Sequence, residues 1–170
     1  TVVGLAGALL EAIDRRLRDA RGVVLACSAV SVELLRNLHE QVAQHWETIL
    51  NNDARARVAR EYLVKRGISD EAVKRFRIGY APDAWNDTVN WAKSRKHDNS
   101  LLEKGGLAIA GNKGHYDRFR GRLIFPIGDE QGRVIGFSGR VLSTEQKGGK
   151  YIYSPETPIY SKRRVIYSID

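Results

Sequence analysis

The chain has 170 residues, 42% of them hydrophobic, which is enough for one domain of ordinary size with its own core. The formal net charge of +8 predicts a polyanionic partner. A single cysteine, Cys27, excludes an internal disulfide and a cysteine-rich zinc site, and favours a cytoplasmic protein. No apolar stretch approaches the roughly 20 residues that cross a bilayer, so we expect no membrane contact. Because methionine is absent, we expect a piece of a longer protein.

The first half of the chain has helical periodicity. Apolar residues repeat along one helix face over 5–17, whereas 22–30 predicts either a buried strand or a second helix. Ser31 is a suitable N-cap for a longer helix. The apolar face of that helix is predicted to consist of Leu35, Leu38, Val42, Trp46 and Ile49.

Capping residues mark several shorter helices after this one. Asp53 is predicted to begin a helix that ends at Gly67, since glycine suits the left-handed conformation at helix ends. Ser69 is predicted to cap a short helix that ends near Phe76. A turn at 80–83 and two more short helices, at 88–96 and 100–104, are also predicted.

The pattern changes after residue 106 to short runs rich in Ile, Val, Phe and Tyr. The predicted strands are 107–110, 122–127, 133–137 and 151–153, with a hairpin turn at 129–132. Helices followed by antiparallel strands predict an α+β fold with a small, mostly antiparallel sheet. We assign residues 1–30 to a helical extension and 31–170 to the domain itself.

Three alternate arginines, Arg118, Arg120 and Arg122, form the densest basic motif. In an extended chain, side chains two apart share a face, so the motif predicts a row of guanidinium groups that could bind phosphates. Phe119, Leu123 and Phe125 would then face a core. The alternative interpretation is a solvated polar face of a half-buried sheet.

A second basic cluster interleaves cations with tyrosines. Its members are Arg140, Lys147, Lys150, Tyr151, Tyr153, Tyr160, Lys162, Arg163 and Arg164. Charge for phosphates and rings for base stacking are what proteins use to bind single strands. The alternative is that these tyrosines are ordinary strand packing residues. No phosphate-binding loop, metal-ligand spacing or catalytic triad is apparent in the sequence.

Five segments in register resemble one known family. They are Tyr62–Ile68, Phe76–Pro82 followed by Trp85, Tyr116–Ile127, Gly132–Arg140 and Lys150–Thr157. Together they resemble the N-terminal basic subdomain of the RNA polymerase core of bacterial DNA primase, the DnaG type, over about residues 33–170. The resemblance implies a nucleotidyltransferase of the primosome that makes RNA primers for DNA replication.

The same resemblance implies cofactors that would lie on other domains. In the family, a zinc-binding domain precedes this region, and a Toprim domain that binds magnesium follows it. The resemblance therefore implies magnesium and zinc for a parent protein, no metal on this chain, and no primer synthesis by this chain alone. Implied partners are the single-stranded DNA template, the RNA–DNA heteroduplex and nucleoside triphosphates, with a replicative helicase bound through other domains.

The family resemblance also assigns contacts residue by residue. The residues matching its nucleic-acid or nucleotide contacts are Arg66, Arg118, Arg120, Arg122, Arg140, Lys150, Tyr151 and Lys162. One departure is Tyr153, which stands where the family pattern has asparagine. Because of this change and the unmatched residues 1–30, we also consider a primase-derived, non-catalytic module for protein or nucleic-acid contacts in a phage or mobile-element helicase–primase.

Overall fold

The computed structural model describes residues 31–142 and 149–163, together with Asp19, Ser28 and Ala29. The chain divides into two compact units, 1–34 and 35–170, and the elements that follow belong to the second unit except for the first turn of α1. The predicted extension over 1–30 lies outside the described residues apart from the three isolated positions. Within the described ranges, no helix is long and apolar enough to cross a membrane.

Helix α1, residues 31–52, supplies one side of the core. The five predicted apolar positions are all buried, with exposed fractions of 0–5%. The indole of Trp46 meets the rings of Phe119 and Phe137 edge-on, with centroid distances of 5.7 and 4.9 Å. Such edge-to-face packing stabilises a core beyond simple burial of area. The prediction of this helix and its buried face is confirmed. The predicted N-cap is wrong, because Ser31 is itself helical and follows the helical residues Ser28 and Ala29.

Short helices follow α1, and the predicted caps Asp53 and Ser69 are both observed. The Asp53 carboxylate accepts from the Arg55 amide at 2.8 Å, so it caps a 3-10 turn, Ala54–Ala56, that leads directly into α2, Arg57–Lys65. Gly67 has a φ of 66° just beyond the end of α2. The Ser69 hydroxyl accepts from the Ala72 amide at 3.2 Å and begins α3, Asp70–Arg75.

Two antiparallel sheets complete the domain. The strands are β1, Gly79–Ala81; β2, Ala108–Gly111; β3, Gly114–Asp117; β4, Arg122–Gly128; β5, Val134–Val141; and β6, Tyr151–Tyr153. The larger sheet has the order β1-β4-β5-β6, and β2 pairs with β3 in the smaller one. Helices α4, Asp87–Ser94, and α5, Asn99–Lys104, lie between β1 and β2 in sequence. The predicted α+β fold is confirmed.

Strand β1 differs from the prediction, which placed a turn at 80–83. Gly79 pairs with Ile124 of β4, and its backbone lies directly against α1. A Cβ atom at Gly79 would lie 2.7 Å from the Trp46 Cβ, closer than such atoms approach. The glycine therefore allows the sheet to pack tightly on α1, a tertiary contact that local sequence does not reveal.

Helix α4 is capped by a residue far away in sequence. The buried carboxylate of Asp117, at the end of β3, accepts from the amides of Thr88 at 2.7 Å and Val89 at 2.9 Å. The Thr88 hydroxyl also accepts from the Trp46 indole at 3.3 Å. Burial raises the pKa of Asp117 to about 6 despite these two amide donors. The Asp117 carboxylate therefore connects β3 to α4, and Thr88 connects α4 to Trp46 in the core.

Candidate nucleic-acid interface

The three alternate arginines do not form the predicted row. The chain leaves β3 at Asp117 and enters β4 at Arg122, and residues 118–121 between them have no regular secondary structure. Gly121 has a φ of 58°, which turns the chain sharply between the two sheets. Because the alternation rule holds only within a strand, the predicted common face is wrong, although Phe119 and Leu123 are buried as expected.

Each of these arginines instead has a different environment. Arg118 donates through Nε and Nη2 to the carbonyl oxygen of Tyr153, at 3.3 and 3.0 Å. The guanidinium of Arg120 lies 4.3 Å from the ring centroid of Trp85. Arg122 is only 5% exposed.

Arg122 is held by backbone acceptors of two neighbouring segments. Its Nη1 donates to the carbonyl oxygens of Gly139 at 3.1 Å and Gly149 at 3.2 Å. Burial, followed by the nearby charge of Arg120, lowers the pKa of Arg122. The predicted nucleic-acid contact of Arg122 stays a prediction. The side chain ties β5 to the residues that precede β6.

Cations and tyrosines alternate on one face of the larger sheet. Arg140 on β5 pairs in register with Tyr151 on β6, so both side chains project to the same side. The Arg140 guanidinium lies 5.1 Å from the ring centroid of Tyr62 and 5.3 Å from that of Tyr151. The guanidinium of Arg66, at the end of α2, lies 5.3 Å from the centroid of the same Tyr62 ring. These distances are typical of cation–π contacts.

The same face continues along β6. Tyr153 is two residues from Tyr151 and therefore projects to the same side. The Lys162 ammonium lies 5.7 Å from the Tyr153 ring centroid. We call the surface formed by Tyr62, Arg66, Arg140, Tyr151, Tyr153 and Lys162 the tyrosine–cation face. Tyr151 and Tyr153 are 42% and 37% exposed, so their rings are accessible to a ligand.

Hydrogen bonds at Arg140 fix the centre of the tyrosine–cation face. Its Nη1 donates to the Tyr151 hydroxyl at 2.5 Å, which holds the two side chains together across the strands. Its Nε is buried without a hydrogen-bond partner among the described atoms. A buried donor without an acceptor is unusual away from functional sites.

The segment that follows β6 positions Lys162. The Ser154 hydroxyl is fully buried and accepts from the Phe137 amide at 2.9 Å, which anchors the end of β6 to β5. The Glu156 carboxylate accepts from the Lys162 amide at 2.8 Å and closes the loop between them. The motif containing Ser154 and Glu156 is therefore structural, and it places the Lys162 side chain beside Tyr153.

The structure brings together some of the predicted site residues and separates others. Arg66, Arg140, Tyr151 and Lys162 belong to the tyrosine–cation face, Lys150 is exposed beside Tyr151, and Arg118 reaches the Tyr153 backbone. Arg120 lies beside Trp85 instead. Sequence reasoning did not nominate Tyr62, although its spacing of four residues from Arg66 on a helix places the two side chains together.

The described residues offer no site for a metal ion. In ranges 31–142 and 149–163, no three His, Cys, Asp or Glu side chains are grouped so as to hold one. The resemblance implies magnesium and zinc on other domains of a parent protein, and this stays a prediction.

Comparison with known proteins shows which family has this fold. Residues 45–170 match the family model of the DNA primase catalytic core, N-terminal domain. The DNA primase of Legionella pneumophila is 42% identical over 136 residues, covering 79% of this chain and 23% of that protein. The DNA primase of Clostridium acetobutylicum is 33% identical over 162 residues, covering 95% of this chain and 26% of that protein. The chain thus spans about a quarter of the length of these two relatives.

Solved structures give the same result. A DnaG primase catalytic domain bound to ssDNA superimposes with a TM-score of 0.73 and 39% identity, covering 80% of this chain and 42% of that one. The RNA polymerase domain of Mycobacterium tuberculosis DnaG, in complex with a double-stranded DNA oligomer with a 6-nucleotide overhang, has a TM-score of 0.73 and 31% identity, covering 76% and 40%. This chain belongs to the family of the DNA primase catalytic core, N-terminal domain.

Proposed function

We propose that this chain holds the single-stranded DNA template, and its heteroduplex with new RNA, through the tyrosine–cation face. The observation that supports this most directly is the alternating series of Arg66, Tyr62, Arg140 and Tyr151, each in contact with the next. The DnaG catalytic domain with which the chain superimposes was solved bound to ssDNA. Arginines can neutralise phosphates while accessible rings stack on bases, which is how sequence-tolerant single-strand binding works.

The proposed role is template placement rather than chemistry. Contacts to phosphate fix the position of the strand without reading its sequence, so the face would accept any template. Basic residues here would also help to neutralise an incoming nucleoside triphosphate. We expect no primer synthesis from the chain alone, with phosphoryl transfer and helicase binding carried out by other domains of a cytoplasmic parent primase.

The residues predicted to contact nucleic acid would have different roles in this function. Arg140, Lys150 and Lys162 would contact phosphates, and Arg66 and Tyr151 would border the same strand. Arg118 would support β6 through its bonds to the Tyr153 carbonyl. Arg122, buried between Gly139 and Gly149, would be a positioning residue that keeps Lys150 and Tyr151 in place.

A salt titration of single-strand binding tests the proposal. The affinity of the 170-residue chain for a fluorescent oligo-dT is measured by anisotropy between low and high salt, for the wild type and for Arg140→Ala/Lys150→Ala. Each phosphate contact on a single strand contributes about 0.7 to the slope of log affinity against log salt. The double variant should therefore bind more weakly and lose about 1.4 from the slope magnitude.

A matched control separates local contacts from total charge. Lys93 and Lys113 are exposed lysines outside the tyrosine–cation face, and Lys93→Ala/Lys113→Ala removes the same charge. This control should retain the wild-type slope. Equal effects of the two double variants would mean that the net charge of +8, and not this face, governs binding.

A further inference from the structure

Glu156 is an acidic side chain next to Lys162 of the tyrosine–cation face. It is exposed and follows the end of β6 by three residues. The hydrogen bonds that it accepts from the Lys162 amide and the Ser161 hydroxyl lower its pKa, as do the charges of Lys162 and Arg163, so the side chain is a carboxylate at neutral pH. A negative charge at this place repels the phosphates of a bound strand. The charge of Glu156 would therefore oppose the proposed binding unless the side chain contributes something else.

The segment from Ser154 to Tyr160 is held by contacts that do not involve the Glu156 carboxylate. Ser154 is bonded to the β5 backbone through its amide and its hydroxyl. The Thr157 amide donates to the Tyr160 carbonyl at 2.9 Å, and the Thr157 hydroxyl accepts from the Tyr160 amide at 3.0 Å. Tyr160 is only 4% exposed, and its ring lies so close to Gly136 that a Cβ atom there would be 2.9 Å from it. Loss of the carboxylate should therefore leave this segment in place.

Beyond Tyr160, the Glu156 carboxylate fixes the chain at Lys162. Its Oε1 accepts from the Lys162 amide at 2.8 Å. A bond from a backbone amide to a carboxylate is charge-assisted and therefore stronger than one to a neutral acceptor. Because this amide belongs to the same residue as the ammonium, the bond fixes the point from which the lysine side chain extends. From there the ammonium reaches a position 5.7 Å from the Tyr153 ring centroid.

We propose that Glu156 is a positioning residue, which holds the backbone of Lys162 so that the ammonium meets a phosphate of the bound strand. This inference rests on the proposed function, in which Lys162 contacts phosphate. A lysine whose backbone is already ordered loses less conformational freedom when the strand binds. This gain in affinity outweighs the repulsion between the Glu156 carboxylate and the phosphates.

Two substitutions of Glu156 separate its position-fixing bond from its charge. Glu156→Gln and Glu156→Ala both remove the negative charge, but only glutamine keeps an oxygen that can accept from the Lys162 amide. Affinity for fluorescent oligo-dT is measured by anisotropy across a range of salt. Glu156→Gln should bind as tightly as the wild type or up to about twofold more tightly at low salt, because repulsion is lost. Glu156→Ala should bind severalfold more weakly than Glu156→Gln, with a slope magnitude smaller by up to about 0.7, the value of one phosphate contact.

The same two substitutions in a Lys162→Ala background provide the control. There they should have equal affinities, because no ammonium is left to position. Equal affinities of Glu156→Gln and Glu156→Ala in the otherwise wild-type chain would overturn the inference, since Glu156 would then act through its charge alone. A difference that persists in the Lys162→Ala background would also overturn it, because Glu156 would then support the rest of the face. Failure of the wild type to bind oligo-dT would instead refute the proposed function.

Discussion

The buried carboxylate of Asp117 makes a specific prediction about stability and pH. Its pKa is raised from 3.8 to about 6 by burial, so between these values the folded chain holds a proton that the unfolded chain releases. The free energy of unfolding must then fall as pH rises through this window. A shift of about two pKa units corresponds to roughly 3 kcal/mol, which is reached once pH exceeds 6.

The substitution Asp117→Asn removes this titration and retains nearly the same shape. Wild type and variant are unfolded with urea at pH 4 and at pH 7.5, and the difference in unfolding free energy is compared between the two conditions. Other titrating groups contribute equally to both proteins and cancel. Relative to the wild type, the variant should gain stability by about 2.4 kcal/mol on going from the lower to the higher pH, because part of the full effect is already present at pH 4.

Asp129 provides a control of opposite sign. Desolvation raises its pKa, but bonds donated by Arg133 and by the Gln131 amide outweigh this and leave the pKa lowered. Its contribution to stability is therefore present above the unfolded-state pKa of 3.8 and is lost as pH falls below that value. Asp129→Asn should change little relative to the wild type between pH 4 and pH 7.5, and should lose relative stability as pH rises through the range below 3.8. If the Asp117→Asn difference does not change with pH, or changes as at Asp129, the two amide donors keep Asp117 ionised and the reasoning from burial is refuted.

Two further substitutions test individual positions. Tyr153→Asn restores the residue of the family pattern and removes a ring from the tyrosine–cation face, so we expect several-fold weaker binding to oligo-dT by anisotropy with little change in melting temperature. Arg122→Met leaves the carbonyls of Gly139 and Gly149 without their donor, so unfolding free energy measured in urea should fall by about 1–3 kcal/mol. The salt slope of Arg122→Met should stay at the wild-type value. A slope magnitude smaller by about 0.7, which corresponds to one phosphate contact, would instead support the direct contact first predicted.

The helices and most strands were predictable because their signals are local. Periodic apolar residues identified α1, and Ser69 and Gly67 supplied the start and end of neighbouring helices at the positions observed. Strand β1 was not predictable, because three residues pair with β4 only when Gly79 can approach Trp46. Such long-range contacts have no counterpart in local sequence patterns.

The candidate site was predictable in composition but not in arrangement. The mixture of arginine and tyrosine identified the ligand class, since single strands require both charge and rings. The alternation of Arg118, Arg120 and Arg122 suggested a common face, which fails because the turn at Gly121 separates two sheets. Tyr62 enters the face from a helix nearly 80 residues before Arg140, a proximity that only the packing of α2 on the sheet establishes.

The arginines of the tyrosine–cation face differ in one respect from Arg77, which lies elsewhere in the fold. Arg77 forms ion pairs with Glu40 and Glu47, which cancel its charge at a distance. Arg66 and Arg140 lie over uncharged rings, which hold a guanidinium in place without neutralising it. Their field therefore extends into solvent and should accelerate the first encounter with a strand, whereas the lifetime of the complex should depend on the rings.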